Sequence, residues 1–249
     1  MKKTISDNTY NSILSTLNRY SINSDVIAMA KKMDNDLPKL FYDKIISSTD
    51  KKELEFNKDV IVKMLLGIYG NYLATLYYKN LGYKVENEYP VYDKDNMLLT
   101  KADLAFTDEE GNQNLCEVKL ASQIIDNIRN YKSEDEELYN GKVYYDMDDD
   151  IIKYKKIGDK LITQVKKLKN SGQNITVVIF EGCYIDDIVR DKLTKELGVN
   201  IKTIAINVKL LKEQIENIVE NISDELLEKN NSLYLLDNEY IEFMPFKVA

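Results

Sequence analysis

Two carboxylates and an amine, Asp103, Glu117 and Lys119, have the types and spacing best suited to chemistry. Asp103 lies in an alternating run in which Ala102, Leu104 and Phe106 point one way and Lys101, Asp103 and Ala105 the other. In the next run Cys116, Val118 and Leu120 form the apolar set, and Leu115, Glu117 and Lys119 the opposite one. For the two apolar sets to share a face, cross-strand partners must have numbers with an even sum, because a slip of one residue turns one set outward. A sum of 220 closes a hairpin through the three-residue loop Glu109-Glu110-Gly111, whose last position favours a left-handed backbone and holds glycine. Asp103 then faces Glu117. Carboxylates opposed at about 5 Å repel by on the order of 3 kcal/mol at an effective dielectric of about 20. A hard divalent cation between them would offset that repulsion, and Mg²⁺ (or Mn²⁺) binds through one or two carboxylates while keeping waters. Lys119, on the same face as Glu117, is placed to hold or deprotonate such a water and to stabilise phosphate charge.

Composition narrows the alternatives. The chain of 249 residues has no histidine, which excludes a Ser-His-Asp or Cys-His nucleophile, an imidazole base and a His-ligated zinc. Cys116 and Cys183 are too few and too isolated for a disulfide framework or a zinc cluster, and read as reduced core thiols. The net charge of -8 opposes a nucleic-acid partner at first sight, but seven of those charges fall between Ser133 and Asp150 and the rest of the chain is close to neutral. There is no run of eighteen apolar residues and no signal-peptide core, so a cytoplasmic protein without a membrane segment is expected.

The elements that must position the triad read in order along the chain. Apolar residues at helical spacing from Thr9 to about Ile46, interrupted at Pro38, predict two or three short helices. After a polar stretch from Ser47 to Glu55 comes a long helix, about Lys58 to Asn80. Its stripe is Ile61, Met64, Leu65, Ile68, Tyr72, Leu73 and Leu76, with a second stripe of small residues, Gly67, Gly70 and Ala74. Tyr83 to Tyr92 alternates as a half-buried strand, with Tyr83, Val85, Asn87, Tyr89 and Val91 on one side. The hairpin 98–107 and 114–120 follows, then an acidic insertion, 121–150, and a helix near Ile152 to Lys169. The apolar runs Ile175–Phe180 and Thr203–Val208, joined by a helix from Tyr184 to Leu197, have the pattern of parallel strands covered on both faces. A helix over Lys209 to Asn221 and a terminal hairpin between Leu233 and Phe246 complete the expectation. The fold class is α/β, with a helical accessory region over 1–55, a core over 56–222 and a C-terminal extension over 223–249.

Asp103, thirteen intervening residues, then Glu117-Val118-Lys119, on successive strands after a helix and a first strand, resembles the PD-(D/E)XK nuclease superfamily over about residues 58–208. The resemblance implies a restriction-endonuclease-like αβββαβ core with a mixed sheet and cleavage of DNA, ahead of RNA, with Mg²⁺. It implies that Asp103 and Glu117 are metal ligands, the carbonyl of Val118 a third, and Lys119 the catalytic lysine. Gln164-Val165-Lys166-Lys167, flanked by Lys160 on the same helix edge, resembles an active-site element of some members, which makes Gln164 a catalytic candidate. Two departures stand out: Lys101 and Ala102 lie where the motif has proline, and Asn71 lies where many members carry a helix glutamate, a charge Glu88 is placed to replace.

Other matches mean less. Asp50-Lys51-Lys52 fits the short half of the motif but lies in a polar turn, and the tyrosines at 77, 78, 83, 89, 92, 144 and 145 suit core and rim positions as well as base stacking. The alternative function is a catalytically reduced nuclease-fold module that binds a protein partner, or mimics nucleic acid, through the acidic insertion. A homodimer is the other assembly left open.

Overall fold

The computed structural model describes residues 5–120, 160–183, 185 and 187–242. The acidic insertion 121–150, the expected start of the next helix and the last residues of the tail lie outside them. The chain is mixed α/β. Five strands, β1 (Lys84–Tyr92), β2 (Leu98–Thr107), β3 (Gln113–Lys119), β4 (Asn174–Phe180) and β5 (Asn200–Ile204), form one sheet in that spatial order. The β1–β2 and β2–β3 pairs are antiparallel, and β3–β4 and β4–β5 are parallel. Hairpin β2–β3 has the expected register, Leu104 against Cys116 through Thr107 against Gln113. Asp108 N–H donates to Asn112 O at 3.1 Å and Gly111 has φ 85°, so the loop is the three-residue one, with glycine taking the left-handed backbone.

β5 begins three residues earlier than the apolar run suggested and stops at Ile204. The cause is Asn207, whose side-chain oxygen accepts Leu210 N–H and whose carbonyl accepts Leu211 N–H, both at 3.1 Å. That cap turns Val208 into the first residue of a helix instead of the end of a strand.

Helices cover both faces of the sheet. On one, Leu104, Phe106, Cys116, Val118, Val178 and Phe180 pack with Ala74 and Tyr78 of helix α4 (Lys51–Asn80). Ile61, Leu65 and Ile68 of the expected stripe are buried, but Leu76 is exposed, and of the small residues Gly70 and Ala74 face inward while Gly67 is exposed. A Cβ on Gly70 would lie 3.2 Å from Leu120 Cβ and 3.7 Å from Val118 Cγ1, so glycine is what lets the helix approach the end of β3. On the opposite face Ala105, Leu115, Ile175, Val177 and Ile179 pack with Leu161, Ile162, Val165 and Leu168 of a helix over 160–169, and with Leu193. Leu193 belongs to a π-helical turn, Lys192–Glu196, that continues a short helix, Asp187–Asp191.

These elements belong to one compact unit, residues 69–212. The other unit, residues 1–68 with 213–249, is helical. It contains α1 (Asp7–Arg19), α2 (Ser24–Lys32), α3 (Leu37–Phe41) with a π-helical turn (Tyr42–Ile46), the first part of α4, and most of the last helix, Val208–Glu242. Pro38 sits in the first turn of α3 and starts that helix instead of interrupting one. The dividing lines fall at 68/69 and 212/213, whereas composition placed them at 55/56 and 222/223. The terminal hairpin expected from Leu233 is not formed over its described part, since the last helix runs on to Glu242. Within the helical unit Glu225 receives Thr16, Arg19 and Lys229, and Lys58 reaches Glu220 at 2.8 Å.

α4 starts at Lys51, inside the polar stretch expected to precede it. Glu53 N–H donates to Asp50 Oδ1 at 2.9 Å and Thr49 N–H to Glu53 Oε2 at 2.8 Å, a reciprocal cap that begins the helix before its first apolar residue. Asp50-Lys51-Lys52 is therefore a helix start. By length and composition α4 could cross a membrane, but it places Ile61, Leu65 and Ile68 in the buried interior, as a core helix does.

Candidate active site

The site forms where β2 leaves β3. Ladder pairing of the two strands ends at Leu104 and Cys116, while β3 continues beside β4 as far as Lys119 against Ile179. Asp103 and Glu117 are the next residues out in the same register. Val118 N–H, which a continuing ladder would give to a β2 carbonyl, donates to Asp103 Oδ2 at 2.7 Å instead. In a strand a residue's N–H and C=O face the same neighbour, so the Val118 carbonyl points to that side too.

Glu117 is 3% exposed, and Lys119 Nζ lies 2.6 Å from its Oε1. The chain therefore supplies two offsets to the expected carboxylate repulsion, an ammonium on Glu117 and a backbone N–H on Asp103. They are not sufficient. Burial, and then the Asp103 charge, push the Glu117 carboxyl up to about 7 despite Lys119. Asp103 is likewise raised by burial, against the lowering effects of Lys119 and the Val118 N–H. Two carboxyls raised by burial in spite of a nearby ammonium form a site short of positive charge.

The donor set fits one small, hard cation. Two carboxylates and a backbone carbonyl suit Mg²⁺, which keeps several waters. Among the described residues no three of His, Cys, Asp and Glu gather into a closed metal cage, so a multi-ligand protein cage is not what these side chains build.

Glu88 is the residue whose conformation sequence reading missed. It lies between the pairs Asn87–Leu104 and Tyr89–Ala102, opposite Asp103, and has φ 52° in the middle of a strand. The expected alternation breaks there in β1, and beside it in β2, where Ala102 joins the cluster of Ala105 and not that of Leu104 and Phe106. Val85 packs on the α4 side of the sheet, while Tyr89 and Val91, of the same parity, join the cluster on the other side. The turn of the backbone brings the Glu88 carboxylate to 3.9 Å from Lys101 and close enough to Glu117 to raise its carboxyl further. Nothing in the composition of β1 signals this, since glutamate is a poor choice for a left-handed backbone.

Gln164 is exposed on the helix over 160–169, which packs on the sheet face that carries Ala105 and Leu115, the neighbours of Asp103 and Glu117 by alternation. Asn71 is buried on α4, where its carbonyl accepts Thr75 Oγ1 at 2.7 Å and Thr75 in turn accepts Asn87 Nδ2 at 2.6 Å. That chain ties α4 to β1. Tyr77, Tyr78 and Tyr83 form an aromatic cluster with Phe106, the Tyr78 and Phe106 rings stacking at 4.1 Å, so Tyr78 is a core residue and Tyr77 and Tyr83 pack half-buried at its margin. Cys116 is buried and Cys183 half-buried, both as free thiols.

No family model matches the chain, and no curated protein or solved structure matches it.

Proposed function

We propose that this chain is a divalent-metal-dependent nuclease with a restriction-endonuclease-like αβββαβ core, hydrolysing phosphodiester bonds in DNA ahead of RNA. The observation that carries the reading is the meeting of Asp103 with buried Glu117 and Lys119 where β2 and β3 part. The element order supports it: the sheet-side half of α4, three antiparallel strands, the helix over 160–169, and β4 parallel to β3.

In this reading Asp103, Glu117 and the Val118 carbonyl hold the cation, and the Val118 N–H fixes the Asp103 carboxylate. When bound, Mg²⁺ or Mn²⁺ supplies Lewis acidity and a more acidic water. Lys119, now on Glu117, would with a cation in place be free to orient the attacking water or to hold a phosphate oxygen. Incubating the protein with DNA, RNA and tRNA in Mg²⁺ or Mn²⁺ tests the proposal. Cleavage that EDTA stops and Glu117→Ala abolishes is expected; no cleavage of any of the three with either metal would overturn it. Asn71, a neutral amide on α4, favours one second reading, a catalytically reduced module of the same fold. Metal binding without cleavage would point to it.

A further inference from the structure

The helix over 160–169 carries Lys160, Lys166, Lys167 and Lys169 and no acidic residue, in a chain with 42 acids against 34 bases. Lys160, Gln164, Lys166 and Lys167 are exposed, and among the described residues no acid pairs with any of the four lysines. Leu161, Val165 and Leu168 fix the opposite side of the helix to the sheet. Lys160, Gln164 and Lys167 recur at i, i+4 and i+7, one stripe along the helix.

The helix is joined to β4 by a short turn and packs on it, so it runs back along the strand. The start of β4 is pinned beside the start of β3 by the Gln173–Gln113 bond of 2.8 Å. Nine helical steps rise about 13 Å, and three to five strand steps from Asn174 cover about 10–17 Å. Lys160 is therefore level with Val177 and Ile179, the partners of Glu117 and Lys119, and Lys167 lies roughly 10 Å farther down the helix.

We propose that this stripe is the track for the sugar-phosphate backbone of the substrate: Lys160 and Lys167 neutralise successive phosphates, Gln164 donates to one between them, and the strand is led to the carboxylate pair. The inference rests on the nuclease reading for its substrate, and its contribution is sequence-independent. A surface of this kind lets an acidic protein hold a polyanion.

The test is fluorescence anisotropy with a fluorescein-labelled mixed-sequence duplex, and with the matching DNA and RNA single strands, in EDTA over a range of salt. The double variant Lys160→Ala/Lys167→Ala is expected to lower the slope of log affinity against log salt by about 1.8 for the duplex or about 1.4 for a single strand. The arm that responds identifies the form of nucleic acid held. Lys31→Ala/Lys32→Ala removes the same charge from exposed positions of α2 and should leave the slope unchanged. An unchanged slope in the first double variant overturns the track and leaves the nuclease reading standing if wild type still cleaves. A wild type that neither binds nor cleaves overturns both.

Discussion

The backbone N–H of Val118 donates to the carboxylate of Asp103 across 2.7 Å, in the place where β2 and β3 cease to bond to each other. One side chain thus fills a gap in the sheet and presents a charge. Asparagine can keep the first role and lose the second. Asp103→Asn should unfold in urea within about 1 kcal/mol of wild type yet lose cleavage, whereas Asp103→Ala, which strands a buried N–H, should cost a further 1–3 kcal/mol or so. Equal stability of the two variants would contradict this account of the bond.

A pH dependence follows from Glu117. Its folded carboxyl is raised from an ordinary 4.5 to about 7, so the folded state holds a proton that the unfolded chain has released. The stability that proton confers is complete below about pH 4.5 and is lost as pH rises through 7, a change on the order of 3 kcal/mol. This term should make metal-free protein melt higher at pH 5 than at pH 8, and Glu117→Gln should reduce that difference. Mg²⁺ should restore stability at pH 8 in wild type and not in the variant. Thermal melts at the two pH values check all of this.

Lys119→Ala should keep Mg²⁺ affinity, measured by calorimetry, within a few-fold of wild type or tighten it, because the ammonium competes with the cation for Glu117. Turnover should fall by about 10²-fold or more, the usual worth of a positioned acid, base or charge. Turnover near the wild-type rate would remove Lys119 from the mechanism.

At Glu88 the backbone opposes the residue. A non-glycine side chain in the left-handed region costs about 1–2 kcal/mol, part of which glycine recovers at the expense of its own chain entropy. Denaturation midpoints should rank Glu88→Gly at or above wild type and Glu88→Val clearly below it. A valine variant as stable as the glycine one would mean that β1 passes Asp103 without the change of side.

Gly70 and Asp103 show how unevenly the sequence displays its fold. The even-sum register, the three-residue loop and the grouping of Asp103, Glu117 and Lys119 were all legible, because period-two alternation and one glycine determine them. So were the close approach at Gly70 and the burial of Ile61, Leu65 and Ile68, although the exposure of Leu76 and of Gly67 was not, since residues on one helical period need not all meet a neighbour. Asn207 and Asp50 moved element ends by several residues through side-chain caps whose strength depends on geometry. The change of side at Glu88 had no sequence signal. The site's charge deficit was legible as a repulsion, but its two internal offsets, Lys119 and the Val118 N–H, depend on where two strands part.

The sheet also has two halves that differ in how they can be reached by a folding chain. β1, β2 and β3 are a meander of neighbours in sequence, whereas β3 meets β4 only after residues 120–173 have been made. Closing a long loop adds only a modest entropic cost, about 0.6 kcal/mol per doubling, but pairings distant in sequence form slowly. On a growing chain the meander can therefore assemble first, with Asp103 facing Glu117 while the strand that walls in Glu117 and Lys119 is still absent. Desolvation of Glu117, the main cause of its raised carboxyl, arrives with β4, so the carboxylates would feel their full repulsion only once the molecule is nearly complete.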